Sequence, residues 1–179
     1  MPDQPFRRLI LFRHAKSDWP DGVADVDRPL APRGQAAAPR MAAYLAGEGL
    51  LPEHVMVSPA RRTRETWALL EPKLAGAAVE TVPGIYEAPA RRLLDAVHGA
   101  PSEAGTLMLV GHNPGLQDLA RHLVGEGEKG ALRDLAKKFP TAAVAVIDFS
   151  AATWAEVAAG QGRLERFVTP GRLGHGEDE

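Results

Sequence analysis

Residues 7–19 read Arg7-Arg-Leu-Ile-Leu-Phe-Arg-His-Ala-Lys-Ser-Asp-Trp19. Four consecutive large apolar residues, Leu9, Ile10, Leu11 and Phe12, stand between charged neighbours. A strand that is apolar at every position is buried on both faces, the habit of a parallel sheet covered by helices. The run stops abruptly at Arg13-His14. Ligands of open α/β sheets lie just beyond the carboxyl ends of the strands. Arg13 and His14 therefore stand where a phosphate or substrate would be received.

Downstream, residues 17–32 are rich in proline, aspartate and glycine. They read as a long loop over the sheet end, and long loops in compact domains are often functional. A helix is expected over 33–48, with Ala37, Met41, Tyr44 and Leu45 on one face, Pro32 at its first position and Gly49 as its stop. A second strand, 54–58, leads into Ser58-Pro59, which reads as a helix cap followed by proline. The next helix buries Trp67, Leu70 and Leu74, yet its first turns carry Arg61, Arg62 and Arg64. Cations there oppose the helix dipole by about 0.3–1 kcal/mol each. An anion held between arginine side chains and free backbone N–H groups would reverse that sign. The plainer alternative is a solvated face paired with Glu65 and Glu71.

A third strand is expected at 78–82 and a helix at 88–98. Residues 106–112, Thr-Leu-Met-Leu-Val-Gly-His112, are the clearest buried strand. Asn113-Pro114 repeats the cap signal, and Leu116, Leu119, Ala120, Leu123 and Val124 follow at helical spacing. Residues 125–130 read as a flexible stretch, and Leu132, Leu135, Ala136 and Phe139 as a short helix. Residues 142–149 and 164–168 are late strands, expected to pair at the sheet edge. The expectation is one domain over 1–170, a three-layer α/β/α sandwich with a mostly parallel sheet, and a flexible polar tail over 171–179.

Composition narrows the function. The chain has 179 residues, 45% hydrophobic and 25% charged, one domain's worth of length. A formal net charge of -2 offers no global attraction for nucleic acid or an anionic membrane. Cysteine is absent, which removes disulfides, thiolate metal sites and cysteine nucleophiles. No apolar run approaches the roughly 20 residues of a membrane span. With the first strand starting by residue 8, no secretory signal fits ahead of it. A cytoplasmic monomer or small homo-oligomer is expected.

Polar residues mark three strand-to-helix junctions: Arg13-His14, Arg61-Arg62 and His112. Junctions of a parallel sheet share one edge, so these residues can converge. Two arginines and two histidines at one edge describe a dianion site, because guanidinium forks bind phosphate oxygens bidentately and stay charged. Neutral imidazole is a competent nucleophile, and phosphoryl transfer asks chiefly for positioning and charge stabilisation. Attack by His14 would form a phosphohistidine that water later hydrolyses. Its other ring nitrogen should donate to a backbone carbonyl, fixing the tautomer. No Gly-x-x-x-x-Gly-Lys loop, Gly-x-Ser-x-Gly elbow or His-Glu-x-x-His pair is present. No metal and no cofactor are expected.

These residues resemble a family. Leu11-Phe-Arg13-His14-Ala15 resembles the Arg-His-Gly signature of the histidine phosphatase superfamily, which includes the phosphoglycerate mutases, with Ala15 replacing glycine. Ser58-Pro-Ala-Arg-Arg62-Thr-Arg-Glu-Thr66 is similar to its Ser-Pro-x-x-Arg-x-x-x-Thr stretch, and this register selects Arg62 over Arg61. Gly111-His112 matches its second catalytic histidine. Residues 13–19, Arg28-Pro-Leu-x-x-Arg-Gly34, Val110-Gly-His-Asn-Pro-Gly-Leu116 and Lys138-Phe-Pro-Thr141 are similar to the SixA-like phosphohistidine phosphatases. The resemblance implies a phosphoglycerate mutase-like fold and a metal-independent phosphatase acting on phosphohistidine of a signalling phosphotransfer protein. His14 is then the nucleophile, with Arg13, Arg62 and His112 binding the phosphoryl group, and Ser17 a further substrate contact. The leaving-group acid is Glu87 or Asp18, neither matching a clear acid of the mutase-like members. A missing acid favours a phosphoramidate, since departing imidazole, with a conjugate-acid pKa of about 6.5, needs little protonation. A small phosphate ester is the alternative substrate, and a non-catalytic phosphoprotein-binding module the alternative class. Lys16 stands between lining the site and capping the loop. Arg28 and Arg33 are expected in ion pairs, Trp19 either in the core or facing a partner, Lys137 and Lys138 in solvent. His54, His98, His122 and His175 are expected at the surface or in packing.

Overall fold

β1 (Arg7–Arg13) is the fourth of seven strands in one mixed sheet. The others are β2 (His54–Val57), β3 (Ala78–Thr81), β4 (Thr106–Gly111), β5 (Val124–Gly127), β6 (Val144–Phe149) and β7 (Gly162–Val168), in the spatial order β3-β2-β4-β1-β6-β7-β5. Five helices join them: α1 (Pro32–Gly47), α2 (Arg61–Leu70), α3 (Ala90–His98), α4 (Gly115–Leu123) and α5 (Lys129–Lys137). The structure, a computed structural model, describes residues 6–174.

The apolar run decides the layering as its composition requires. Leu9, Ile10, Leu11 and Phe12 are all 0% exposed. Leu9 and Leu11 join the cluster formed with Leu93 and Val97 of α3 and Leu116 and Leu119 of α4. Ile10 and Phe12 face Met41 and Leu45 of α1 and Trp67 and Leu70 of α2. β4 alternates in the same way, Leu107 and Leu109 to one cluster, Met108 and Val110 to the other. Each such side chain contributes roughly 1.5–3 kcal/mol of burial free energy against the entropy of ordering. The result is the expected three-layer α/β/α sandwich.

β1 pairs in parallel with β4 and antiparallel with β6. β2 is parallel to both β3 and β4. β6 and β7 are antiparallel, and β5 is parallel to β7. The sheet is therefore mostly parallel, with β6 alone reversed, and the ends of β1, β2 and β4 share one edge.

Three expectations need correction. The stretch 125–130 is ordered: β5 reaches Gly127, and the Glu128 carboxylate caps α5 by accepting from Gly130 and Ala131 N–H, both at 2.8 Å. A short, glycine-bearing edge strand has little apolar signature, which hid it. The late strands do pair, but β6 lies inside the sheet and β5 takes that edge. The polar tail does not begin at 171: Gly171–Leu173 forms a 3-10 turn, with Arg172 ion-paired to Asp134 and Leu173 packed on the core. Residues 175–179, with His175, lie outside the described residues. Among the described residues no helix is long and apolar enough to cross a membrane.

One close approach sets the loop that follows β1. A Cβ at Gly34 would stand 2.1 Å from the Lys16 carbonyl oxygen. Ala31 N–H donates to that same oxygen at 2.8 Å, and Ser17 bridges to Leu30. Glycine at 34 thus lets the start of α1 clamp the loop against the sheet end.

Candidate active site

The carboxyl ends of β1, β2 and β4 surround a pocket of about 280 Å³ lined by Arg13, His14, Arg62, Glu87 and His112, with Asp25 and Arg28 from the loop. His14 is fixed by backbone on both sides. Its N–H donates to the Gly111 carbonyl at 3.1 Å, and its own carbonyl accepts from Ala142 N–H at 3.0 Å. Nδ1 lies 2.8 Å from the Ala15 carbonyl oxygen. A carbonyl only accepts, so Nδ1 carries the proton and Nε2 of the neutral ring keeps its lone pair.

The spacing from Arg62 to Thr66 has a local cause. One helical turn apart, Thr66 Oγ1 donates to the Arg62 carbonyl at 2.7 Å and accepts from Ala15 N–H at 3.0 Å. The first turn of α2 is thereby tied to the end of β1. Arg62 is 1% exposed. Nη1 donates to the Asp25 carbonyl (2.7 Å), and Nη2 to Asp25 Oδ2 (3.1 Å), Glu87 Oε1 (2.8 Å) and His112 Nδ1 (3.3 Å). Because a guanidinium only donates, His112 Nδ1 is an acceptor, and Nε2 carries the proton toward Ser58 Oγ at 2.7 Å. Tyr86 meets His112 edge-on, ring centroids 5.5 Å apart, and its hydroxyl donates to Asp25.

Among the described residues three buried side-chain donors lack protein partners, Arg7 Nε at the far end of β1 and, beside the pocket, Arg13 Nε and Arg62 Nε. Arg13 Nη1 is held by the Phe139 carbonyl at 2.9 Å. Burial, with repulsion from Arg62, lowers the Arg13 pKa, although a guanidinium remains charged at any ordinary pH. Uncompensated donors and facing cations are the counterpart of an oxyanion. A tetrahedral dianion would supply the missing acceptors.

Burial is also the chief reason that both imidazoles resist protonation. The His14 pKa falls to about 3, with Arg13, His112 and Arg62 opposing the charge and the Ala15 carbonyl only partly favouring it. The His112 pKa falls to about 4, again by burial first and Arg62 second. For Asp25, burial would raise the pKa, but hydrogen bonds from Tyr86, Arg28 and Arg62 outweigh it and hold the carboxyl at about 2. Depressed histidine values favour the fold above the unfolded pKa of about 6.5, and that contribution is lost as pH falls toward the folded values. The melting temperature is therefore expected to fall between pH 6.5 and 4. Scanning calorimetry of wild type beside a His14→Asn, His112→Asn variant should show a flatter fall in the variant.

Residues 9–90 match the profile of the histidine phosphatase superfamily (branch 1). The uncharacterized protein Rv1276c of Mycobacterium tuberculosis is 34% identical over 161 residues, covering 89% of this chain and 99% of its own. A solved structure assigned to phosphohistidine phosphatase SixA of Nakamurella multipartitia superposes with a TM-score of 0.83 at 29% identity, covering 94% and 99% of the two chains. The chain belongs to the histidine phosphatase superfamily. Its likeness runs to the SixA-like branch, since a second structure so assigned, from Agrobacterium tumefaciens, gives 0.78 at 29% identity over 94% of this chain and 100% of that one.

In this histidine phosphatase the expected residues Arg13, His14, Arg62, Glu87, Ser17 and His112 all line one pocket. The Ser17 hydroxyl accepts from Arg28 at 2.6 Å, so it also anchors the loop. Glu87 reaches Arg62 and holds a left-handed backbone, φ 51°, unusual for a glutamate. Asp18 is not in the lining, and its backbone carbonyl holds Arg28 instead. Arg61 pairs with Glu65 and Arg64 turns to the Pro59 carbonyl, leaving Arg62 alone of the three in the pocket. Ser58 does not cap α2, which begins after Ala60; its hydroxyl holds His112. Trp19 is 76% exposed at the rim rather than in the core. His54 pairs with Glu80 and His98 with the Val157 carbonyl, both away from the site.

Asp25 is the residue that sequence reading missed. It ties Arg28, Arg62 and Tyr86 together. The length and composition of the loop 17–32 point to a functional role, but nothing local separates Asp25 from Asp18, Asp21 or Asp27. Asn113 and Thr141 also line the pocket.

Proposed function

We propose that this chain is a metal-independent phosphatase that works through a phosphohistidine at His14 and takes its phosphoryl group from phosphohistidine on a phosphotransfer protein. The observation that carries the reading is the His14 tautomer: with Nδ1 donating to the Ala15 carbonyl, the neutral ring keeps a lone pair on Nε2 in a pocket of buried cations. Nε2 attacks phosphorus in line, the P–N bond to the departing imidazole breaks, and that imidazole takes a proton from solvent. Water then attacks the phosphohistidine, releasing phosphate and restoring neutral His14. Arg13 and Arg62, both in the pocket lining, hold the equatorial oxygens with their guanidinium donors. Once Arg62 Nη2 turns from His112 Nδ1 to a phosphoryl oxygen, Nδ1 takes up a proton from solvent, since the added negative charge raises its pKa. These groups supply the positive charge that other phosphatases draw from metal ions. Departing imidazole needs little acid, which suits a site whose carboxylates are already engaged by Arg62.

The test is phosphate release from a phosphohistidine-bearing phosphotransfer domain, with EDTA present and His14→Ala alongside. Release by wild type alone, unchanged by EDTA, is the expected result. Loss of release in EDTA would remove metal independence. Turnover restricted to small phosphate esters would move the substrate to metabolites.

A further inference from the structure

Trp19 stands at the rim of the pocket, and one face of its indole is already occupied. The Arg28 guanidinium carbon lies 3.3 Å from the ring centroid. Arg28 is 7% exposed and does not move freely: Nε donates to the Asp18 carbonyl (3.0 Å), Nη1 to Asp25 Oδ1 (3.0 Å) and Nη2 to Ser17 Oγ (2.6 Å). A side chain resting on such an anchor has lost much of its rotamer freedom before any ligand arrives. Yet Trp19 remains 76% exposed, whereas Trp67 and Trp154 are 7% and 1% exposed. Its second face is open to solvent beside the residues that would hold the phosphoryl group. The stack on Arg28 is a modest stabilising contact at so exposed a position, and the Arg28 hydrogen bonds hold the loop beside it.

We infer that the open face of Trp19 is a stacking platform for the leaving group, which makes this residue the determinant of preference for planar, aromatic leaving groups over small alkyl ones. The inference rests on the phosphatase reading above and deepens it. A ring bonded directly to the transferring phosphorus must lie at the pocket mouth, within reach of a rim aromatic. Offset stacking adds a preference beyond area burial, and an alkyl alcohol has no face to offer. The imidazole of phosphohistidine has the required shape, as does the ring of an aryl phosphate.

Trp19→Ala and Trp19→Phe, each beside wild type, test this with phenyl phosphate, phosphohistidine-bearing phosphotransfer domain and glycerol 3-phosphate. Trp19→Ala is expected to lower kcat/KM about 5- to 10-fold for the two ring-bearing substrates, with little change for glycerol 3-phosphate. Trp19→Phe should restore most of the loss, which a loop merely disturbed would not do. An equal fall on all three substrates, or no fall on any, overturns the platform. A binding readout separates this from failure of the phosphatase reading. Phenylphosphonate, which cannot be turned over, should perturb tryptophan fluorescence in wild type and bind more tightly than methylphosphonate, a difference abolished in Trp19→Ala. Equal affinity of the two phosphonates for wild type overturns the platform whether or not any substrate is hydrolysed.

Discussion

Replacing His14 by alanine is expected to lower phosphate release by on the order of 10⁴-fold or more, the scale on which nucleophiles that act within a unit fail when removed. The size follows from the division of labour in the pocket. Arg13, Arg62 and His112 can hold and polarise a phosphoryl group, but none offers a free lone pair: two are guanidinium ions, and His112 Nδ1 is taken by Arg62. Without His14 only water remains to attack. The substitution should leave the fold intact, because the side-chain hydrogen bond of His14 goes to its own neighbour, Ala15, while the strand end is held by backbone bonds to Gly111 and Ala142. Steady-state release and acid-stable against acid-labile phosphoenzyme after a rapid quench check it. Wild type should trap an acid-labile species and His14→Ala none. Activity within tenfold of wild type would falsify the nucleophile assignment.

Much of this was legible in the chain because two kinds of signal agree. Burial on both faces is written directly into residues 9–12 and 106–111, and once those strands are parallel neighbours their ends must share an edge. Arg13, His14 and His112 sit at those ends, so their convergence follows from topology. Arg62 was readable for a different reason: a cation in the first turn of α2 opposes the dipole and needs a compensating partner. The structure shows that partner set to include Asp25 and Glu87, with the Arg62 Nε buried and unpartnered. Asp25 was not legible because its role depends on how a 16-residue loop folds over the pocket, which no periodicity encodes. The local signal at Ser58 misleads for a related reason. A serine before proline has the local signature of a cap, and only the tertiary placement of β4 beside β2 brings His112 to its hydroxyl. The edge strand β5 escaped notice because glycine and glutamate carry the pairing through backbone alone.

Arg62→Lys is expected to lower kcat/KM about 10²-fold, and Arg62→Ala about 10³-fold, in line with removing a preorganised charge-stabilising donor. The two variants separate charge from geometry. Arg62 serves four acceptors at once, the Asp25 carbonyl, Asp25 Oδ2, Glu87 Oε1 and His112 Nδ1, while its Nε stays unpartnered. A lysine ammonium brings the same charge but three donors on one atom, with no planar fork. It can satisfy the carboxylates or meet the phosphate, not both. The alanine variant leaves Asp25 and Glu87 without their buried cation, but their side chains are 40% and 53% exposed and can turn to water. Stability should therefore fall by about 1–3 kcal/mol rather than by the larger penalty of stranding a fully buried charge. Urea denaturation gives that value, and kcat/KM with KM resolved separately gives the other. If Arg62→Lys retained wild-type kcat/KM while Arg62→Ala did not, charge alone would suffice and the fork geometry would carry no weight. Equal losses in both would show that the fork, through Asp25 and His112 together, is what the pocket requires.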